Sequence, residues 1–314
     1  MAEWLKRLGL LAVLLLVVSA CSTESPGSSD DGGENSEGSS DDSVKIGLSI
    51  STLNNPFFVT LRDGAEAAAE EAGYDIVVTD AQDDASTQLS DIEDLLQQNI
   101  DVLLVNPVDS EAVVTAIESA NSQDVPVITV DRSAEGGDVV SHIASDNVAG
   151  GEMAGEFIAD KLDESGNLVE LQGVPGASAT RERGKGFHNI ADEIDGLEVV
   201  AKQSANFNRS EGLNVMENII QSTDQIDAVF AHNDEMALGA VEALQSNGML
   251  EDVTVVGFDA TDDAVAAVEE GTLDATIAQQ PKLIGENAID AVGSVVSGES
   301  VDEFIPVELQ MVTE

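Results

Sequence analysis

Cysteine and the large aromatic residues are almost missing from this 314-residue chain. Cys21 is the only cysteine, so no disulfide can form within the chain and cysteine pairing does not indicate a redox compartment. With one tryptophan (Trp4) and one tyrosine (Tyr74), eight phenylalanines make up most of the aromatic residues. Three of the eight, Phe57, Phe58 and Phe258, follow or end predicted strands, which makes them candidates for contact with a ligand.

Basic residues are also scarce, with 12 Lys and Arg against 61 Asp and Glu and a formal net charge of −49. A chain so acidic is not suited to bind nucleic acid, an anionic membrane surface or an acidic substrate. Repulsion within the chain is tolerable where salt screens it, since the Debye length falls to about 3 Å near 1 M salt. The composition predicts a halophilic protein, and an ordinary acidic soluble protein is the alternative.

Motifs of the common nucleotide-binding and hydrolytic enzymes do not occur. The chain contains no GxGxxG, GxxxxGK[ST], HExxH or GxSxG. Its three histidines, His142, His188 and His232, lack metal-ligand spacing. The sequence therefore predicts a protein that is not an enzyme, with no metal and no cofactor.

The N-terminal 43 residues predict export and anchoring. Lys6 and Arg7 precede an apolar run over 8–18, and small residues follow, which is the pattern of a signal peptide over residues 1–20. Val18-Ser19-Ala20-Cys21 resembles a bacterial lipobox, in which the cysteine becomes the acylated first residue. A secreted protein with an incidental cysteine is the alternative. Because residues 22–43 are mostly Ser, Gly, Asp and Glu, residues 21–43 are predicted to form a lipid-anchored disordered tether.

From Val44 onward, short apolar strands alternate with helix-length segments, which predicts βαβ units and parallel sheets. The first series has strands near 45–50, 75–79, 102–105, 127–130 and 139–144, and helices near 57–72, 87–98 and 110–122. The second has strands near 168–171, 197–201, 228–231, 254–257 and 275–278, and helices near 148–162, 179–193, 210–221, 235–245 and 262–269. A helix near 282–296 and a last strand around 307–311 follow. The fold class is therefore α/β, with two similar lobes.

Polar and aromatic residues follow several of these strands directly. Ser51, Asn55, Phe57 and Phe58 follow the first strand, and the alternative for this stretch is a polar turn with two core phenylalanines. Further groups come after later strands: Asp131-Arg132, His232-Asn233-Asp234 and Phe258-Asp259. Because ligands of open α/β sheets bind outside the carboxyl ends of the strands, we expect these groups to face one crevice.

The chemistry of these groups suits a neutral polyol. Asp131 and Asp259 balance Arg132 and Arg183 in charge, and paired buried charges favour an uncharged ligand over an anion. Sugar C–H faces stack on aromatic rings, and sugar hydroxyls both donate and accept hydrogen bonds. Carboxylate, amide and guanidinium groups bind such hydroxyls with charge-assisted hydrogen bonds.

Over nearly all of 43–314 the sequence resembles the ribose-type periplasmic binding proteins of bacterial ABC import. The blocks that carry the resemblance are STLNNPFF (51–58), PVITVDR (126–132), VVSHIASDN (139–147), ELQG (170–173), RERGKGF (181–187), NDEMALGA (233–240), VVGFD (255–259) and ATIAQQP (275–281). The resemblance implies a type I periplasmic binding protein fold, in which two Rossmann-like lobes with parallel sheets are joined by a three-strand hinge and close on a sugar. It puts the crossings near Ser145-Asp146, Gln279-Gln280 and Pro306. The lobes would then be 44–145 plus 280–306, and 146–279 plus 307–314.

The resemblance also implies the residues that contact the sugar. From the first lobe, Asn55 and Asp131 would bond hydroxyls, Arg132 would clamp two oxygens, Phe57 and Phe58 would cover one ring face, and Ser51 would lie at the edge. From the second lobe and the hinge, the polar contacts would be Arg183, Asn233, Asp259 and Gln279, and the opposing wall would be Phe207 and Phe258. Phe207 enters only through the resemblance, because ANFN by itself predicts a loop.

The implied function is capture of D-ribose outside the cytoplasm and its delivery to an ABC transporter permease. A binder of allose, galactose or a furanosyl signalling molecule is the alternative ligand assignment. A chemoreceptor is a further candidate partner, and we expect a monomer that touches the membrane only through its lipid anchor at the cell envelope. Repressors that share this fold would need an N-terminal DNA-binding helix pair, where this chain has a signal peptide and a tether.

Overall fold

A computed structural model describes residues 43–314. The predicted signal peptide, Cys21 and the predicted tether as far as Asp42 lie outside the described residues. The first part of the described chain contains β1 (Lys45–Ile50), α1 (Pro56–Ala72), β2 (Asp75–Asp80), α2 (Ala85–Gln97), β3 (Val102–Val105), α3 (Val114–Asn121), β4 (Val127–Val130) and β5 (Ser141–Ser145).

The second part continues the alternation of strands and helices. It contains α4 (Asn147–Lys161), β6 (Gly166–Gln172), α5 (Ser178–Ala191), β7 (Leu197–Ser204), α6 (Arg209–Ser222), β8 (Ala228–Ala231), α7 (Asp234–Ser246), a 3-10 turn (Leu250–Asp252), β9 (Thr254–Asp259), α8 (Asp262–Glu269) and β10 (Ala275–Ala278). The described chain ends with α9 (Pro281–Val296), β11 (Phe304–Val307) and β12 (Gln310–Thr313).

The strands form two six-stranded sheets, in the orders β11-β5-β4-β3-β1-β2 and β12-β10-β9-β8-β6-β7. All strand pairs are parallel except β10 with β12. Inner strands such as β3, β4 and β8 are completely buried because they are covered on both faces, and their sequences are correspondingly continuous apolar runs. The predicted α/β class with two Rossmann-like sheets is confirmed.

The predicted last strand over 307–311 was wrong, because this segment contains two strands in different sheets. β11 pairs with β5 in the first sheet, and β12 pairs with β10 in the second. Pro306 lies inside β11, which tolerates it because an edge strand can leave one side of its backbone unpaired. The chain passes between the sheets at 145–147, 278–281 and 307–310, while the exact lobe boundaries stay a prediction.

The three passages are hydrogen-bonded to one another. The Ser145 hydroxyl donates to the carbonyl oxygen of Gln279 at 3.3 Å. The Gln280 side-chain amide donates to the carbonyl oxygen of Glu308 at 2.9 Å. The connections that join the two sheets therefore lie side by side.

Helix caps fix the backbone where the chain leaves the strands. Asn55 caps α1 by accepting a hydrogen bond from the Phe57 N–H at 2.9 Å, and Pro56 supplies a φ suited to the first turn. Asn233 caps α7 in the same way, accepting from the Met236 N–H at 3.0 Å. Both caps lie just beyond the carboxyl end of a strand. In residues 43–314, no helix has the length and apolar character needed to cross a membrane.

We expect the thermal midpoint of unfolding to rise between low and molar potassium chloride. Twelve basic residues cannot neutralise 61 acidic ones, so mutual repulsion opposes the compact state until counterions screen it. Calorimetry at fixed pH measures the midpoint. The control is sucrose, because it stabilises folded proteins without screening charge. A midpoint that stays flat or falls with salt contradicts the halophilic interpretation.

Candidate functional site

A cavity lies between the carboxyl ends of the two sheets, and we call it the cleft cavity. It contains about 220 Å³ of space free of protein atoms, part of which is open to solvent. Ten of the twelve residues predicted to contact a ligand line it. The lining residues are Asn55, Phe57, Phe58, Asp131, Arg132, Ala179, Arg183, Phe207, Asn233, Asp259 and Gln279.

The first sheet contributes an aromatic corner and an ion pair. The Phe57 and Phe58 rings meet edge to face, with centroids 5.2 Å apart. Arg132 Nε lies 3.7 Å from Asp131 Oδ2, and both side chains are buried. The Arg132 guanidinium carbon lies 5.0 Å from the Phe58 ring centroid and 5.1 Å from that of Phe207. Arg132 therefore lies between an aromatic ring of one sheet and an aromatic ring of the other.

The second sheet holds Arg183 from several directions. Its Nε donates to Asn147 Oδ1 at 2.8 Å and its Nη1 donates to the carbonyl oxygen of His232 at 2.6 Å. Nη1 also lies 3.8 Å from Asp259 Oδ1, which in turn accepts from Gln279 Nε2 at 2.6 Å. Two buried carboxylates thus face two buried guanidinium groups, as the charge balance of the sequence predicts.

Ser51 and Phe258 do not lie on the lining. The Phe258 ring belongs to a buried core cluster, and its centroid is 3.9 Å from the guanidinium carbon of Arg183, so it supports Arg183 from behind. The Ser51 hydroxyl donates to Asn106 Oδ1 at 2.6 Å. Phe258 therefore contacts the lining residue Arg183, and Ser51 contacts Asn106 behind the lining. Their predicted direct contact with a ligand stays a prediction.

The sequence patterns did not identify Asn106 and Ala179 as candidate site residues. Asn106 Nδ2 donates to the Val130 carbonyl oxygen at 3.0 Å and to Asp131 Oδ2 at 3.3 Å, so it holds Asp131 in place. Asn106 directly follows the apolar strand β3, and the same strand-end rule that found Asp131 could have found it. Ala179, in the first turn of α5, also lines the cavity. Its methyl side chain has no polar or aromatic group that would mark it as a ligand contact in the sequence.

Several polar atoms of the lining are buried and have no hydrogen-bond partner among residues 43–314. They are Asp131 Oδ1, Arg132 Nε and Gln279 Oε1. Burial raises the pKa of Asp131 against the opposing effect of Arg132, and it raises the pKa of Asp259 well above its ordinary value. Burial also lowers the pKa of Arg132. A bound group that both donates and accepts hydrogen bonds would satisfy these atoms and stabilise the carboxylates as anions.

The two halves of the molecule touch beside the cavity. The Ser110 N–H donates to the Gly176 carbonyl oxygen at 3.0 Å, and the Ser133 N–H donates to Ser178 Oγ at 2.9 Å. Arg181 and Glu135 form an ion pair at 2.6 Å. These contacts close the cleft over the cavity. Within residues 43–314, no group of three or more His, Cys, Asp or Glu side chains is arranged to hold a metal ion.

Residues 46–300 match the model of the periplasmic binding protein domain. The chain is 52% identical to the ribose import binding protein RbsB of Bacillus subtilis over 305 residues, covering 97% of each protein. An ABC transporter solute-binding protein from Bacillus halodurans with bound myo-inositol superposes with a TM-score of 0.82 at 36% identity, covering 86% of this chain and 94% of that one. One from Actinobacillus succinogenes with bound D-allose gives 0.81 at 29%, covering 86% and 97%. This chain belongs to the periplasmic binding protein family.

Proposed function

We propose that this protein captures D-ribose outside the cytoplasm, in the cleft cavity between its two halves, and delivers it to an ABC importer. The observation that carries this proposal is that Asp131, Arg132 and Gln279, each with a buried polar atom that has no hydrogen-bond partner within residues 43–314, line one cavity together with phenylalanine rings. Sugar hydroxyls supply both donors and acceptors to such atoms, while the rings cover the C–H faces. The half-identical relative named for ribose import supports ribose as the ligand.

A different cyclic polyol is the alternative ligand. The neighbours with bound myo-inositol and D-allose share the fold at lower identity, and both of these ligands are six-carbon polyols. A pentose fits a given lining more easily than a hexose does, because each added hydroxymethyl group needs space and hydrogen-bond partners. Galactose and furanosyl signalling molecules belong to the same alternative.

The test is calorimetry in molar salt against D-ribose, D-allose, D-galactose and myo-inositol. We expect ribose to bind with micromolar or tighter affinity, about −8 kcal/mol, and to bind more tightly than the hexoses. Small-angle scattering should show compaction on addition of ribose, because contacts from both halves favour the closed form. A preference for allose, galactose or inositol would refute ribose as the ligand. Failure of all four compounds to bind and to compact the protein would refute the proposed function. Recovery of the sugar unchanged tests the proposal that the protein is not an enzyme.

The same proposal places the protein at the cell envelope. Residues 1–20 are removed on export, Cys21 carries the lipid, and 21–43 tether the folded part, which acts as a monomer. A permease and a chemoreceptor are the proposed protein partners. These assignments rest on the sequence pattern of the N-terminal segment and on the family.

Acylation of Cys21 has a direct test. Mass spectrometry of native protein should show Cys21 as a lipid-modified first residue, and an intact Met1 or a free Cys21 thiol would contradict this. A Cys21→Ser variant should leave the membrane fraction and still bind sugar, because the cleft cavity is formed entirely by residues 55–279. A Ser22→Ala variant is the matched control and should remain membrane-bound.

A further inference from the structure

Gly173 lies directly against the ring of Phe207. It follows the last residue of β6, is buried, and does not itself line the cleft cavity. A Cβ built on Gly173 would overlap three atoms of the Phe207 ring, Cζ, Cε1 and Cε2. The outer end of the ring therefore occupies the space that any other residue would fill with its side chain. We call this space the Gly173 notch.

The glycine is needed for space and not for its backbone freedom. The φ of Gly173 lies outside the left-handed region, unlike that of Gly73 or Gly248, where nothing lies within 4 Å of an added Cβ. An alanine at 173 could therefore adopt the same backbone. Its methyl group would instead meet an aromatic ring, which cannot bend out of the way as a flexible aliphatic side chain can.

The backbone that carries Phe207 is fixed on both sides, so the ring cannot easily withdraw. The Ala205 N–H donates to the Gln172 carbonyl oxygen at 2.8 Å, and the Ser204 hydroxyl donates to that of Gly173 at 2.7 Å. On the other side, Asn233 Nδ2 donates to the Phe207 carbonyl oxygen at 3.3 Å. Phe207 also has a φ of 58°, a left-handed conformation that a residue with a side chain adopts only when its surroundings hold it.

We propose that Gly173 is a positioning residue of the sugar site, because the Gly173 notch determines where the Phe207 ring can lie. The ring lines the cleft cavity and lies 5.1 Å from the guanidinium carbon of Arg132 and 5.9 Å from that of Arg183. Displacing it therefore changes the aromatic wall and moves the support of both guanidinium groups. This inference rests on the proposed function for its affinity readout only.

A double-mutant cycle tests the proposal. We expect Gly173→Ala to weaken ribose binding roughly 5- to 150-fold, the effect of overfilling a packed site. In a Phe207→Ala background, the same substitution should have almost no further effect, because the atoms that it would overlap are gone. If the two effects simply multiply, Gly173 does not act through Phe207 and the proposal is wrong.

Gly166→Ala, at the opposite end of the same strand, is the matched control. A Cβ there would meet Leu162 Cδ1, the end of a flexible side chain, at 2.8 Å and Asp227 Cβ at 3.1 Å, and it would lie at the end of the strand far from the cavity. We expect it to bind ribose as the wild type does, even where it lowers the melting temperature. Equal losses of affinity in Gly166→Ala and Gly173→Ala would mean that general destabilisation causes the effect, and the proposal would be wrong.

A ligand-free measurement separates this inference from the ribose assignment. In wild-type protein with labelled phenylalanine rings, nuclear Overhauser effects should connect the Gly173 α-protons to the Phe207 ring. Detection of these nuclear Overhauser effects supports the Gly173 notch even if ribose does not bind. The double-mutant cycle can then be measured with whichever sugar binds. Absence of these effects overturns the notch even if ribose binds tightly.

Discussion

Asp131→Ala should weaken D-ribose binding by roughly 30- to 5,000-fold, corresponding to about 2–5 kcal/mol. The substitution removes the acceptor that faces the cavity, and it also leaves the buried Arg132 guanidinium without its anionic neighbour at 3.7 Å. A buried charge that loses its partner costs more than the contact itself contributes. Asn106 loses a hydrogen-bond acceptor at the same time.

Titration calorimetry on three further variants identifies the cause of this loss. Asp131→Asn keeps the shape and one acceptor, so a large remaining loss would mark the charge as the important feature. Asp94→Ala, an exposed acid on α2, controls for the change in net charge and should bind as the wild type does. If Asp131→Ala and Asp259→Ala both retain wild-type affinity, the cleft cavity is not the sugar site.

Gly176→Ala should impair closure and thereby lower affinity by roughly 5- to 150-fold. A Cβ on Gly176 would overlap Asp109 Oδ2, which belongs to the loop after β3 on the opposite side of the cleft. That carboxylate cannot simply turn away, since its other oxygen accepts hydrogen bonds from the N–H groups of Glu111 and Ala112 at 2.9 and 2.8 Å. The clash exists only when the halves meet, so folding should be unaffected.

The readouts for Gly176→Ala are therefore affinity, compaction and melting temperature together. We expect weaker binding and less compaction at a given ribose concentration, with an unchanged melting temperature in the absence of sugar. Adding Asp109→Ala should restore much of the affinity, because it removes the atom that the new methyl group meets. A double variant no better than Gly176→Ala would show that this contact does not limit closure.

Most of the fold could be predicted from the sequence because buried parallel strands are continuous apolar runs. β1, β3, β4, β8, β10 and α8 match their predicted bounds, and other elements differ by a few residues at their ends. The two strands of the C-terminal segment, β11 and β12, could not be predicted in this way. The apolar residues of this segment around Pro306 and Val307 do not reveal that hydrogen bonding switches from one sheet to the other within two residues.

The residues of the candidate site could also be predicted only in part from the sequence. Residues that directly follow strands, such as Asp131 and Asn233, could be located by a rule about strand ends. Phe207 could not, because its place in the cavity depends on a left-handed backbone and on the empty side-chain position of Gly173. The resemblance puts Phe258 on the opposing wall, whereas its ring lies in a buried core cluster against the Arg183 guanidinium.

The hydrogen bonds between the three passages also bear on how fast the protein can take up its ligand. Connections that are tied side by side bend more easily out of the plane that contains them than within it. Ser145 to Gln279 and Gln280 to Glu308 are the ties. We expect bending out of that plane to open and close the cleft, which would return Gly176 to the loop of Asp109 at each approach. The rate of capture should then depend on how often the cleft opens as well as on diffusion of the sugar.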